Sequence, residues 1–243
     1  MRSAIRHIVL LAILAIPANG FAWTVAAHTC AAQPGGGDGT NLVSSGIDTS
    51  GATLIVLYSA AYIGSSAVSV SDSKSNTWTG LTNLANSQQS RLWYAYGATV
   101  GASHTFTIST ADTTLFNGAL CVMAVSGNLV GGDPIDAQNV NSNSSALTLT
   151  TGSVTPSLNN EIVITGFASA ANNTAPAVDS GLTLLDSLTG TGRPLVGLAY
   201  ITQGIAASIN PTWTIDPAAN NQANIASFKG PTTRRPMGVM VFP

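Results

Sequence analysis

Two stretches about a hundred residues apart follow one plan, and they constrain the fold more than any single motif does. In Ser90–Ser109, Leu92, Tyr94 and Tyr96 alternate with Arg91, Trp93 and Ala95; after a glycine-bearing connection, His104, Phe106 and Ile108 alternate with Thr105, Thr107 and Ser109. Leu195–Asp216 repeats the order: an aromatic strand, a Gly/Ala/Ser connection and a Thr-aromatic-Thr strand. A period of two bounded by glycine reads as strand–turn–strand, so each stretch is expected to be a hairpin. Around them the echo continues. The apolar run in Gly51–Tyr62 returns in Asn160–Ser169, and Gly118–Ser126 returns in Gln222–Gly230. These runs lack polar alternation, which predicts strands covered on both faces.

The remaining strand candidates are Trp23–Ala32, Ala67–Val70, Thr77–Leu81, Ala146–Thr151 and Val178–Leu185, separated by turn-forming stretches such as QPGGGDGT and GGDP. The expected class is therefore all-β, an antiparallel, jelly-roll-like β-sandwich built from two similar halves, about 41–130 and 150–230. No proline- or serine-rich linker of domain-boundary type parts them, so 23–230 reads as one domain.

The ends carry separate expectations. Arg2 and Arg6, an apolar run over Ile8–Ala18 and small residues at Gly20 and Ala22 predict a secretory signal over 1–22, too short to span a membrane. The tail Pro231–Pro243 ends in the apolar Gly238–Phe242 and is a candidate edge strand through which copies would associate.

Only 7% of the residues are charged against 45% hydrophobic, where an intracellular domain carries about 25% charged. Ser, Thr, Asn and Gly must cover the surface, a composition suited to extracellular sandwiches. Eight basic residues, less Arg2 and Arg6 in the leader, leave six against ten acidic ones. No basic stripe exists to neutralise phosphates, which excludes nucleic acid as a partner. In an oxidising compartment the two cysteines, Cys30 and Cys121, are expected to form one disulfide.

At Asp72, Ser73, Asn76, Thr77 and Trp78, and again at Asn210, Pro211, Thr212 and Trp213, the chain resembles a loose group of secreted or phage-associated bacterial β-sandwich proteins with a D-S-x-x-N-T-W turn. The resemblance covers most of residues 40–230. It implies a jelly-roll-like fold at a cell or particle surface and carries no activity.

Catalytic motifs are missing. There is no G-x-S-x-G elbow, no H-E-x-x-H and no phosphate-binding glycine loop. His104 shares a strand face with Phe106 and Ile108 and reads as a core histidine; Glu161 is the sole glutamate, and most Asp sit beside Gly, Ser, Asn or Pro, where turns use them. No cofactor is expected. A calcium ion would draw on Asp38, or on Asp133 and Asp136, but a hard cation takes about six or more oxygens.

The reading is an extracellular, non-catalytic surface module for adhesion or glycan binding, with a glycan or cell-surface polymer as partner. The alternative is a structural subunit of a virion, fibre or surface layer. A polysaccharide-active hydrolase ranks below both. For glycan binding the platform would come from Trp78, Trp93, Tyr94, Tyr96 and Trp213, with Trp93, Arg91, Trp78 and Trp213 as the candidate ligand-binding residues. Arg91 shares the Trp93 face, so that face is expected to meet solvent.

Overall fold

A computed structural model describes residues 23–33, 40–62, 67–85, 88–111, 117–127, 131–171, 174–189 and 194–230. The leader 1–22, Asp38 and the tail 231–243 lie outside these residues. Fifteen strands and no helix are found among the described residues. In chain order they are β1 (Thr24–Ala32), β2 (Asn41–Val43), β3 (Leu54–Tyr62), β4 (Val68–Asp72), β5 (Thr79–Gly80), β6 (Leu84–Ala85), β7 (Gln89–Tyr96), β8 (Phe106–Thr110) and β9 (Asn117–Ser126). There follow β10 (Ile135–Thr150), β11 (Glu161–Ser169), β12 (Ala177–Val178), β13 (Thr183–Leu188), β14 (Leu195–Gln203) and β15 (Thr212–Phe228).

The strands form two six-stranded sheets and a three-stranded one, and all the pairings are antiparallel. The first large sheet runs β1-β9-β3-β7-β5, with β6 on β7; the second runs β10-β15-β11-β14-β13, with β12 on β15. The small sheet is β2-β8-β4. The orders repeat between halves. β1, β9, β3 and β7 correspond to the first part of β10, the last part of β15, β11 and β14. The small sheet corresponds to the end of β10, the start of β15 and β12. Even the bridge Ile47–His104 has its counterpart in Val154–Ile209.

The halves stack as four layers, because the two large sheets pack face to face. Along β3, Leu54, Val56, Tyr58 and Ala60 point into the central core with Ile162, Ile164, Val196, Leu198 and Phe228 from the other half. The alternate residues Ile55, Leu57 and Ala61 join Phe106 and Ile108 in a second core under the small sheet. Val163, Phe167, Leu195 and Trp213 build the matching third core. A strand buried on both faces needs apolar residues at every position, which is why β3, β9 and β11 show no alternation.

β9 approaches β14 and β7 approaches β15; β1 approaches β13 and β10 approaches β6. Exchanging equivalent strands maps each contact onto its partner, so the halves are related by an approximate two-fold. On that axis the symmetry is broken. Tyr58 of β3 corresponds to Gly166 of β11, and a Cβ on Gly166 would lie 2.2 Å from the Tyr58 ring.

Two expectations are corrected. β7 and β8 do not form a hairpin: β7 pairs with β3, β5 and β6, whereas β8 pairs with β2 and β4. Residues 97–105 carry the chain from one layer to the next. β14 and β15 are divided in the same way, as β15 pairs with β10, β11 and β12. Two adjacent alternating strands satisfy the pattern of a hairpin and of a layer crossing alike. Secondly, the Arg91–Trp93 face of β7 is not the solvent side. Trp93 is 9% exposed and belongs to the second core, because the small sheet covers the face that a two-layer sandwich would leave open.

The disulfide expected from the cysteine pair is formed. Cys30 and Cys121 are opposite residues of β1 and β9 with Cα atoms 4.1 Å apart, and the crosslink spans 91 residues of chain.

Candidate functional site

Arg91 and Trp93 line one small cleft with Ser59, Ala67, Val68, Asn83, Gln89 and Ser90, with room for about one water molecule. β7 supplies the floor, β3 the Ser59 wall and the start of β4 the apolar rim. The Trp93 indole N–H donates to Ser59 Oγ at 3.0 Å, which satisfies its one polar atom inside the core. The Arg91 guanidinium stacks over the Trp93 ring at 4.5 Å. Its Nη2 donates to the Gly80 carbonyl at 2.8 Å and its Nε to the Leu81 carbonyl. Gly80 makes room for this stack: a Cβ there would fall 2.5 Å from the Arg91 Cζ.

The remaining N–H groups of Arg91 have no acceptor among the described residues, and no carboxylate pairs with the guanidinium there. Burial draws Arg91 below its ordinary pKa, yet a guanidinium stays charged at any physiological pH. The cleft thus offers a fixed cation, amide and hydroxyl groups and an apolar wall. None of its lining residues is a His, Asp, Glu or Cys. It can hold a polar group, and it has no general base beside its serines.

The other aromatic candidates lie elsewhere. Trp78 is half-buried, with its indole N–H on Asp72 Oδ2 at 2.7 Å and its ring edge-on to Phe106. Trp213 is fully buried, stacked on Phe167 at 5.1 Å and bonded to Thr165 Oγ1. The four candidate residues therefore do not form one platform. Tyr96, 41% exposed and stacked on Tyr94, is the exposed large aromatic among the described residues.

The D-S-x-x-N-T-W stretch is turn chemistry. Asp72 Oδ1 accepts the N–H groups of Lys74 at 2.8 Å and Asn76 at 3.3 Å. The Asn76 side chain exchanges two hydrogen bonds with the Thr99 backbone. His104 is buried as its strand face predicts, with Nδ1 2.9 Å from Thr49 Oγ1 and Nε2 3.3 Å from Asp72 Oδ1. Thr49, His104 and Asp72 line up as a nucleophile–base–acid relay would. However, Thr49, His104 and the Asp72 side chain are closed to solvent, and Thr49 is tied on both sides to Gly101. Burial pushes the Asp72 carboxyl up, and the donors of Lys74, Trp78, Asn76 and His104 more than offset it, so its pKa ends below the ordinary value.

The acids named for calcium have other partners. Asp133 accepts the Tyr94 hydroxyl at 2.8 and 2.9 Å and the Ile135 N–H at 3.1 Å. Asp136 accepts from Ser157 and pairs with Lys229 at 3.1 Å. No three His, Cys, Asp or Glu side chains among the described residues are placed to hold a metal.

Sequence reasoning reached Arg91 and Trp93. It missed Ser59, Asn83, Gln89 and Ser90, whose meeting depends on the β3–β7 register and carries no local signal. It also missed the Asp136–Lys229 pair, which joins residues far apart in the chain. No known protein family, curated protein or solved structure matches the chain.

Proposed function

We propose that the protein is a non-catalytic, extracellular surface module that binds a glycan or related cell-surface polymer. The observation that carries this reading is the Arg91 cleft. It places a fixed cation, the Ser59 hydroxyl and two amide side chains around one opening, against a Trp93 wall. Sugar hydroxyls need donors and acceptors converging from several directions. A cleft this small takes a single hydroxyl-sized group while the rest of the polymer runs over the surface. The crosslinked, all-β architecture and the charge-poor composition support an extracellular setting.

The test is retention of the protein on an array of polysaccharides, with Arg91→Gln and Asn83→Ala compared on whatever is retained. At least a tenfold loss in both variants, with the circular dichroism of the folded chain retained, is the expected result. No retention on any polysaccharide, or retention equal in the variants, would sink the assignment.

A further inference from the structure

At the start of the second half, three side chains meet as an amine, a carboxylate and a buried carboxyl group. β10 carries a bulge between Ile135, opposite Phe228, and Ala137, opposite Ser227. The extra residue is Asp136, and a bulge re-aims the side chain it carries. Its Oδ1 lies 3.1 Å from Lys229 Nζ, just past the end of β15. The Lys229 backbone is held beside it by an N–H bond to the Pro134 carbonyl at 2.8 Å.

Ser157 clamps the same carboxylate. Its backbone N–H reaches Oδ2 at 2.6 Å and its hydroxyl reaches Oδ1 at 2.8 Å. These donors sit where an acyl-transfer site places the groups that polarise a carboxyl and stabilise charge on its oxygen. The third member is Glu161, the first residue of β11 and fully buried. Its Oε1 accepts the Leu158 N–H at 2.9 Å. Its Oε2 has no well-formed hydrogen bond and is closed to solvent, beside Asp136 and Ser227. Burial, together with the neighbouring Asp136 charge, raises the Glu161 pKa, which favours its protonated form.

We propose that Lys229 and Asp136 are joined by an isopeptide bond formed within the folded chain, with Glu161 as the catalytic residue that moves the protons. The reactants are the Lys229 ammonium and the Asp136 carboxylate. Glu161 delivers a proton to an Asp136 oxygen, and the Lys229 ammonium restores that proton to Glu161 by way of Asp136 Oδ1, leaving a neutral amine beside a neutral carboxylic acid. The Nζ lone pair then attacks Cγ, and the Ser157 backbone N–H holds Oδ2, the oxygen that takes up charge. A second Nζ proton passes to the departing hydroxyl. One C–N bond forms, one C–O bond breaks and one water leaves, so neither an oxidant nor an activated co-reactant is needed. The 3.1 Å contact brings Nζ to Oδ1, one C–O bond away from the Cγ that it attacks. The ligand to which the surface binds plays no part, so this inference stands apart from the glycan reading.

The experiment is intact mass spectrometry of the folded full-length chain, each species compared with the mass its own sequence requires, followed by peptide mapping. Beyond the two hydrogens lost to the disulfide, the expected mass is lower by one water. The map should contain a branched peptide linking Asp136 to Lys229. Lys229→Arg and Glu161→Gln should keep the full mass, and Asp136→Asn should lose ammonia in place of water. A native protein at full mass overturns the proposal. So does a water loss that persists in Lys229→Arg, which would mark a cyclic imide elsewhere. Water loss in Glu161→Gln at the native rate would remove Glu161 from the mechanism.

Discussion

The two halves share a strand order and differ in how they are tied together. In the first half, β1 and β9 are stapled by Cys30–Cys121. The corresponding pair in the second half, β10 and β15, has Val140 opposite Asn224 at the matching register. Conversely, the bulge of β10 that presents Asp136 has its counterpart in β1 between Val25 and Ala27. There the extra residue is Ala26, with Ser126 and Thr53 where the second half has Lys229 and Glu161. One backbone feature thus carries chemistry in one half and none in the other. The layers differ too. In the first half the small sheet is separate, whereas β10 and β15 run unbroken through both layers of the second. Backbone topology can be held constant while side chains redistribute the means of holding it.

That comparison can be broken most severely at the disulfide. Replacing both Cys30 and Cys121 by Ser frees a loop of about ninety residues, and the chain-entropy model puts the loss at about 4.6 kcal/mol. Guanidinium unfolding should show that loss falling on the first half, with hydrogen exchange rising in β1 and β9 before β10 and β15. Uniform loosening of both halves would show that they do not hold their stability separately.

Next in size is the symmetry axis. Gly166→Ala forces a methyl group into the Tyr58 ring and should cost about 2–3 kcal/mol as an overpacked core. Tyr58→Phe in the same background should not relieve it, because the clash is with ring carbons. A melting temperature unchanged in Gly166→Ala would mean that the large sheets do not meet as described.

The smallest effects concern acid, and the halves should respond in opposite senses. Asp72, in the first half, has a pKa lowered by folding. Its contribution is present above the ordinary Asp value and is lost as pH falls through the folded one, below about pH 4. Asp72→Asn should therefore cost about 1 kcal/mol at neutral pH and flatten the acid limb of stability. Glu161, in the second half, has a raised pKa. Its contribution is full below the ordinary Glu value, about 4, and is lost as pH rises through the folded one. Glu161→Gln should remove that loss and gain up to ~1 kcal/mol near neutrality. Urea unfolding between pH 3 and 7, run on the Lys229→Arg background so that no crosslink intervenes, checks both slopes.

The sequence made some of this legible for physical reasons. Strands covered on both faces must be apolar throughout, so β3, β9 and β11 stood out, and their recurrence disclosed the two halves. The even cysteine count pointed to Cys30–Cys121. What stayed hidden depended on which layer a strand joins. The alternation of Leu92, Tyr94 and Tyr96 with Arg91 and Trp93 marks two distinct faces, but not what covers them. Arg91 looked like a solvent marker; its guanidinium is instead seated on Trp93 and bonded to the carbonyls of residues 80 and 81. The Asp136, Glu161 and Lys229 cluster needs a bulge and two strand pairings to assemble, and none of those is written in local spacing.

The Tyr58–Gly166 contact also bears on what happens while the chain is being made. The first half leaves the ribosome before its partner, with the Tyr58 face of β3 uncovered. If it met the first half of a neighbouring chain in the same geometry, two Tyr58 rings would claim one space. Two second halves meeting would bring glycine to glycine and leave a gap the size of a ring. Only unlike halves fit at this position without a clash or a gap.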